Sequence, residues 1–228
     1  METQLLDGSL NPVNVARVIK HNHDFYAAHP GYFKPEGLLV FCGEQGSGKT
    51  LSAVQYVKRL CEEYPRAILC TNVEIHGLPP DTQVVEYNGL DCLKSLENGY
   101  YGVIYLIDEI HLEFNSLESK NIDIEVMIEV SQQRKQRKHI IGTSQVYGRL
   151  AKPFREQIRN VVLCSNFCKI LQVNTLIDGS KSTEKDGHLI TDTVKRFYWF
   201  HRPELYDSYD TYAKMKRYKK EWQGRRIS

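Results

Sequence analysis

The chain has 228 residues, 41% hydrophobic and 25% charged, with a formal net charge of +2. That balance is ordinary for a soluble globular protein long enough to bury a substantial core, and it excludes a polycation. No apolar run approaches the ~20 residues that a membrane-spanning helix needs, and Met1-Glu2-Thr3-Gln4 lacks the basic and apolar regions of a secretory signal, so a cytoplasmic protein is expected.

Residues 1–36 read as a lead-in packed beside the core, with a short helix near 14–21. The aromatic stretch that follows carries His21, His23 and His29 outside any metal-ligand motif. Leu38 to Cys42 reads as a buried strand, and Lys49 to Glu63 as a helix ended by Pro65. Short strands are expected over 67–72 and, after the turn Gly77-Leu78-Pro79-Pro80, over 82–87. A short helix near 90–97 precedes an apolar strand over 102–109 that ends in two acids. Helical spacing of Ile122, Val126, Met127 and Val130 predicts a helix over 122–137 that closes in a basic cluster. Strands over 139–145 and 159–164 follow.

Alternating strands and helices imply a parallel sheet covered on both faces. Beyond 165 the pattern changes to two strands linked by a polar turn, a β-hairpin added to the core over 166–212. The last stretch, 213–228, holds seven Lys or Arg and one acid, Glu221. Interleaved with Tyr218 and Trp222, these charges suit either a solvated tail or contact with nucleic acid. The six cysteines lack a second Cys or His pair at metal-ligand spacing, and free thiols in a reducing compartment are expected.

The segment Gly43-Glu44-Gln45-Gly46-Ser47-Gly48-Lys49-Thr50, followed by Leu51, fits the phosphate-binding pattern G-x-x-x-x-G-K-[ST] between a strand and a helix. Its backbone amides suit the phosphates of ATP, Lys49 the β- and γ-phosphates, and the Thr50 hydroxyl Mg²⁺. Asp108, closing the run Val103-Ile104-Tyr105-Leu106-Ile107, suits the same magnesium ion, and Glu109 suits the general base that activates water. A guanine-reading N-K-x-D is absent, and a small-molecule kinase has no use for such a glutamate. The acid pair therefore resembles the additional-strand ATPases, the division of RecA-like motors and AAA+ machines. Gln145 is either the polar sensor of that division or ordinary strand-end polarity. Arg134 and Arg137 suit either a solvated helix end or an arginine finger reaching a neighbouring subunit's γ-phosphate.

The succession GEQGSGKT, TNVEIHGL, YLIDEIHLEF (with His111), RKQRKHIIGTSQ and LYDSYDTY resembles the zonula occludens toxin-like ATPase family. That family includes the assembly ATPases of filamentous phages and lies within the FtsK–HerA-type motor group. The likeness runs over about residues 37–212. It implies a RecA-like core over 37–165, site residues Lys49, Thr50, Asp108, Glu109 and Gln145, a ring-shaped homo-oligomer, and a viral or mobile-element origin, hence a host cytoplasm. The arginines before the sensor strand resemble those of small phage packaging motors. One departure is the end of the sequence, KMKRYKKEWQGRRIS, where the phage assembly ATPases continue into a membrane-spanning helix. A soluble motor acting on double-stranded DNA with a viral portal or assembly protein is therefore expected. The alternatives are an assembly or export motor acting on protein, and a nucleotide-dependent switch with little turnover.

Overall fold

The structure, a computed structural model, describes residues 12–34, 37–115, 124–179, 183–185, 188–190 and 193–210. It divides after Tyr32 into two units. The first contains one helix, α1 (Pro12–Ala28), longer than the 14–21 expectation. Phe25 meets Tyr26, His29 and Tyr32 ring to ring, so the aromatic stretch extends the helix and closes its end.

The second unit runs from Phe33. In chain order it contains β1 (Leu38–Cys42), α2 (Lys49–Glu63), β2 (Ile68–Thr71), β3 (Glu74–Ile75), β4 (Val84–Glu86), α3 (Asp91–Ser95) and β5 (Val103–Ile107). It continues with α4 (Ile124–Gln132), β6 (Lys138–Ser144), α5 (Lys152–Arg155), β7 (Ile158–Phe167) and β8 (Leu171–Asp178). After the small hairpin β9 (Thr183–Lys185) and β10 (His188–Ile190) come β11 (Thr193–Phe200), α6 (Pro203–Tyr206) and β12 (Tyr209–Asp210).

Eight strands form one sheet in the order β11-β8-β7-β1-β6-β5-β2-β4. The six from β7 to β4 are parallel, and β8 and β11 extend the sheet antiparallel. The fold is α/β, a RecA-like core with a mostly parallel sheet. Its decisive feature is β6, which lies between β1 and β5. The strand carrying the phosphate loop and the strand carrying the acid pair are thus separated by one additional strand. The hairpin expected over 166–212 is realised as β8 and β11, in the same sheet and continuous with β7, which itself runs on to Phe167.

Both faces of β1 and β5 are buried, which is why their sequences are unbroken apolar runs. Phe41, Ile104 and Ile141 pack with Val54 and Val57 of α2 on one face. Val40, Tyr105 and Ile107 pack with Val126, Val130 and Phe154 on the other. Helix α4 stops at Gln132, short of the expected 137. The cause is Lys138, whose side chain is buried at the start of β6 and bonds Glu129 at 3.0 Å and the Leu93 carbonyl at 2.7 Å. Drawing the chain into the sheet there requires a turn, and Arg137 takes the left-handed conformation to make it. No helix among the described residues is long and apolar enough to cross a membrane.

Candidate nucleotide site

Strand β1 delivers the chain to Gly43, and Gly48 begins α2 from a left-handed conformation with φ of 83°. A side chain at Gly43 would stand 2.6 Å from the Cys164 carbonyl, and one at Gly48 would collide with the Gln172 amide oxygen. Only glycine fits either position, so the loop lies close against β7 and β8. The loop turns back on itself through Ser47 N–H and the Glu44 carbonyl, 3.1 Å apart. Glu44, Gln45 and Gly46 are exposed, whereas Lys49 and Leu51 are buried. Lys49 Nζ donates to the Glu44 carbonyl at 3.1 Å, folded across the hollow where an anion would sit. Helix α2 then runs for 15 residues, so its positive end faces the same hollow.

Across the sheet, the end of β5 brings the acid pair opposite Thr50. Asp108 Oδ1 accepts from Thr50 Oγ1 at 3.0 Å and from Thr143 Oγ1 at 2.6 Å. Thr143 Oγ1 in turn accepts from the Glu109 N–H at 2.9 Å. A hydroxyl and a carboxylate at the mouth of a phosphate loop are oxygen donors of the kind Mg²⁺ takes, so Thr50 and Asp108 fit a magnesium site. Glu109 adopts the left-handed conformation with φ of 54°, unusual for a glutamate. Its Oε2 stands 3.2 Å from Nδ1 of the buried His111. Gln145 follows Ser144, whose register partner in β1 is Cys42, so it too sits at the phosphate end of the sheet.

Several residues of the site were not singled out from sequence. Asn72, just after β2, clamps Asp108: its Oδ1 accepts from the Asp108 N–H at 2.8 Å and its Nδ2 donates to the Asp108 carbonyl at 3.1 Å. The signal was present, since Asn72 belongs to the TNVEIHGL segment and is a polar residue ending an apolar strand. Gln172 Nε2 donates to the Ser47 carbonyl at 2.9 Å and to Asn174 Oδ1 at 3.0 Å, while its Oε1 accepts from His201 Nε2 at 3.0 Å. Asn174 also accepts from Ser52 of α2 at 3.2 Å, and Asn166 Nδ2 donates to the Gly46 carbonyl. Along β8 these polar side chains point inward: Gln172 is 0% exposed, while Leu171 and Val173 are partly exposed. Alternation alone reads the strand with the opposite sense.

The strap after β11 brings the LYDSYD part of that motif, residues 205–210, to the same region, with β12 pairing β3, and its last two residues lie outside the described residues. Burial, with the Asp108 carboxylate also contributing, pushes the Tyr209 phenol above its ordinary value.

Arg134 and Arg137 lie elsewhere. They precede β6, whose seven residues separate them from the phosphate end by about 20 Å at the usual rise per strand residue. Arg134 is exposed beside a cavity of about 550 Å³ that Lys34, Glu63 and Arg159 also line. Arg137 donates to the Gly99 carbonyl at 3.3 Å. Neither reaches the phosphate hollow of its own chain. The tail from 213 to 228 lies outside the described residues.

No known family's model matches the chain, and no curated protein sequence matches it. Among solved structures, the N-terminal domain of zonular occludens toxin from Neisseria meningitidis is similar, with a TM-score of 0.53 and 18% identity over 76% of this chain and 98% of that one. The genome packaging NTPase B204 of Sulfolobus turreted icosahedral virus 2, in complex with ATP-gammaS, gives a TM-score of 0.48 and 12% identity over 74% and 98% of the two chains. A further solved ATPase domain gives 0.47 and 11%, over 82% and 95%. The fold of this chain is that of the toxin's N-terminal domain, in keeping with the resemblance drawn from the motifs.

Proposed function

We propose that the protein is an ATP-hydrolysing motor that works as a homo-oligomeric ring and moves nucleic acid, with double-stranded DNA as its track and packaging of a viral genome as its setting. The observation that carries this reading is the acid pair Asp108-Glu109, set opposite Thr50 with one strand between their strand and that of the phosphate loop.

Lys49, leaving the Glu44 carbonyl, would meet the β- and γ-phosphates, and the amides from Glu44 to Leu51 would cradle them. Thr50 and Asp108 would hold Mg²⁺, which when bound neutralises charge on the phosphate oxygens. Glu109 would orient the attacking water and take its proton. His111, whose Nδ1 lies 3.2 Å from its Oε2, would pair with that carboxylate when protonated. Gln145 would sit between the γ-phosphate and the moving parts. Arg134 or Arg137 would act from a neighbouring subunit, because each stands far from its own phosphate hollow. A viral portal or assembly protein is the partner on which such a ring would dock.

The test is ATP turnover with and without double-stranded DNA, on protein of measured oligomeric state. Stimulation by DNA in the assembled state is expected, and Glu109→Gln should bind ATP without turning it over. Turnover indifferent to DNA in every oligomeric state would remove the nucleic-acid part of the reading. Near wild-type turnover by Glu109→Gln would remove the assignment of the base.

A further inference from the structure

The antiparallel end of the sheet has an open face. Register places Phe167, Leu171 and Phe200 in one row across β7, β8 and β11, Ser165, Val173 and Tyr198 in the next, and Leu163, Thr175 and Arg196 in the third. Their opposite face carries Gln172 and Asn174 toward the phosphate loop and α2. The rows therefore face away from α2, and the rings at their ends stand in solvent: Phe167 is 70% exposed, Tyr198 62% and Phe200 69%. Isolated exposed apolar residues need no explanation, but three rings on one sheet face do.

Within the three rows the charge comes from Arg196, and none of their residues is acidic. The turn from Phe167 to Leu171 adds Lys169 and no acid, whereas Lys195 lies over the Phe197 ring on the opposite face. Tyr198 and Phe200 are two residues apart on one strand, about 7 Å at the usual rise. Planar rings so spaced on a sheet, with Arg196 in the adjoining row, offer stacking surfaces to splayed bases and charge to the phosphates between them. An isologous contact between two copies of this face would instead set Arg196 of one against a like charge of the other.

We propose that this face of β7, β8 and β11 binds single-stranded nucleic acid, with Phe167, Tyr198 and Phe200 stacking on bases and Arg196 meeting the backbone. The proposal deepens the reading of the chain as a nucleic-acid motor and rests on it for its purpose. It also gives that motor a physical link, since Gln172 bonds the Ser47 carbonyl from the other side of the strand that carries Leu171 and Val173. Anything that shifts β8 shifts the phosphate loop.

The test is fluorescence anisotropy of labelled dT20 and of a 20-base-pair duplex with the full chain, with oligomeric state followed in parallel. Tyr198→Leu and Phe200→Leu should each weaken dT20 binding about ten-fold, a loss of the size expected for one stacked base. Tyr198→Trp should retain it, because it keeps the flat ring that leucine lacks. Arg196→Ala should lower the salt slope of dT20 binding by about 0.7. Equal dT20 affinity in the wild type and both leucine variants would overturn the proposal. So would leucine variants that change assembly while their subunits bind dT20 normally, which would assign the face to a second copy. If dT20 fails to bind while duplex stimulates turnover, this surface fails and the motor reading survives. If neither nucleic acid binds or stimulates, both fail.

Discussion

Replacing Asn72 with alanine should separate the chemistry of the site from its grip on nucleotide. The side chain makes two bonds to one residue, accepting from the Asp108 N–H at 2.8 Å and donating to the Asp108 carbonyl at 3.1 Å. Each is worth about 1 kcal/mol net, and a poorly solvated N–H left without a partner costs ~1–3 kcal/mol. A stability loss of about 2–3 kcal/mol is therefore expected from chemical unfolding. The catalytic loss should be larger in proportion. Asp108 sets the position opposite Thr50, and its neighbour Glu109 hangs from the same backbone through Thr143. A misplacement of about 1 Å in such a group can cost about 10²-fold in rate. Nothing in the variant touches Lys49 or the loop around it, so affinity for a fluorescent ATP analogue should hold within a few-fold. Turnover at saturating ATP, measured across a magnesium series, should fall by one to two orders of magnitude and need more magnesium. Asn72→Asp should fall as well, since it keeps the acceptor for the N–H but loses the donor to the carbonyl. Full turnover by Asn72→Ala with an unchanged magnesium requirement would refute the clamp as a positioning device.

Two further outcomes test other parts of the structure. If Arg134 or Arg137 acts across a subunit boundary, the alanine variant of the effective one should bind ATP normally and hydrolyse it about 10³-fold more slowly. Mixing it with Lys49→Ala should restore turnover, and a mixture that stays dead in demonstrated mixed oligomers would end the trans role. The second concerns acid stability: burial pushes the His139 imidazole from its ordinary 6.5 down to about 4, and it stays neutral between the Gly37 carbonyl at 2.5 Å and the Tyr56 hydroxyl at 3.0 Å. The unfolded chain takes up a proton there first as pH falls, so stability drops from pH 6.5 toward 4 by up to about 3 kcal/mol and the loss then saturates. His139→Gln should remove that component from urea unfolding measured between about pH 7 and 4; an identical pH profile in the variant would disprove it.

What could be read from the sequence was what is local in the chain. A strand, a short glycine-bearing loop and a helix start make up the phosphate loop, and the glycines that let it close are contiguous with Lys49 and Thr50. An apolar run ending in Asp108-Glu109 likewise needs no distant partner to be recognised. Strands β1 and β5 were legible because burial on both faces leaves an unbroken apolar signature, and the α/β class followed from the alternation of strands with helices.

Tertiary structure decided the rest. Periodicity reports that a strand has two faces but not which face meets the core, so Gln172 and Asn174 read as outward when the phosphate loop draws them in. The same inversion exposes the rings of β11. Lys138 shows a related limit: the stretch from Arg134 to His139 is basic at every position but Gln136, and charge alone cannot say which residue is buried. Only the position of Glu129 and of the Leu93 carbonyl selects Lys138 and ends α4 early. Asn72 became part of the site because β2 pairs with β5 in a register that sets Thr71 beside Leu106. Long-range pairing of this kind is fixed by packing energy summed over the whole sheet, and no short stretch of the chain contains it.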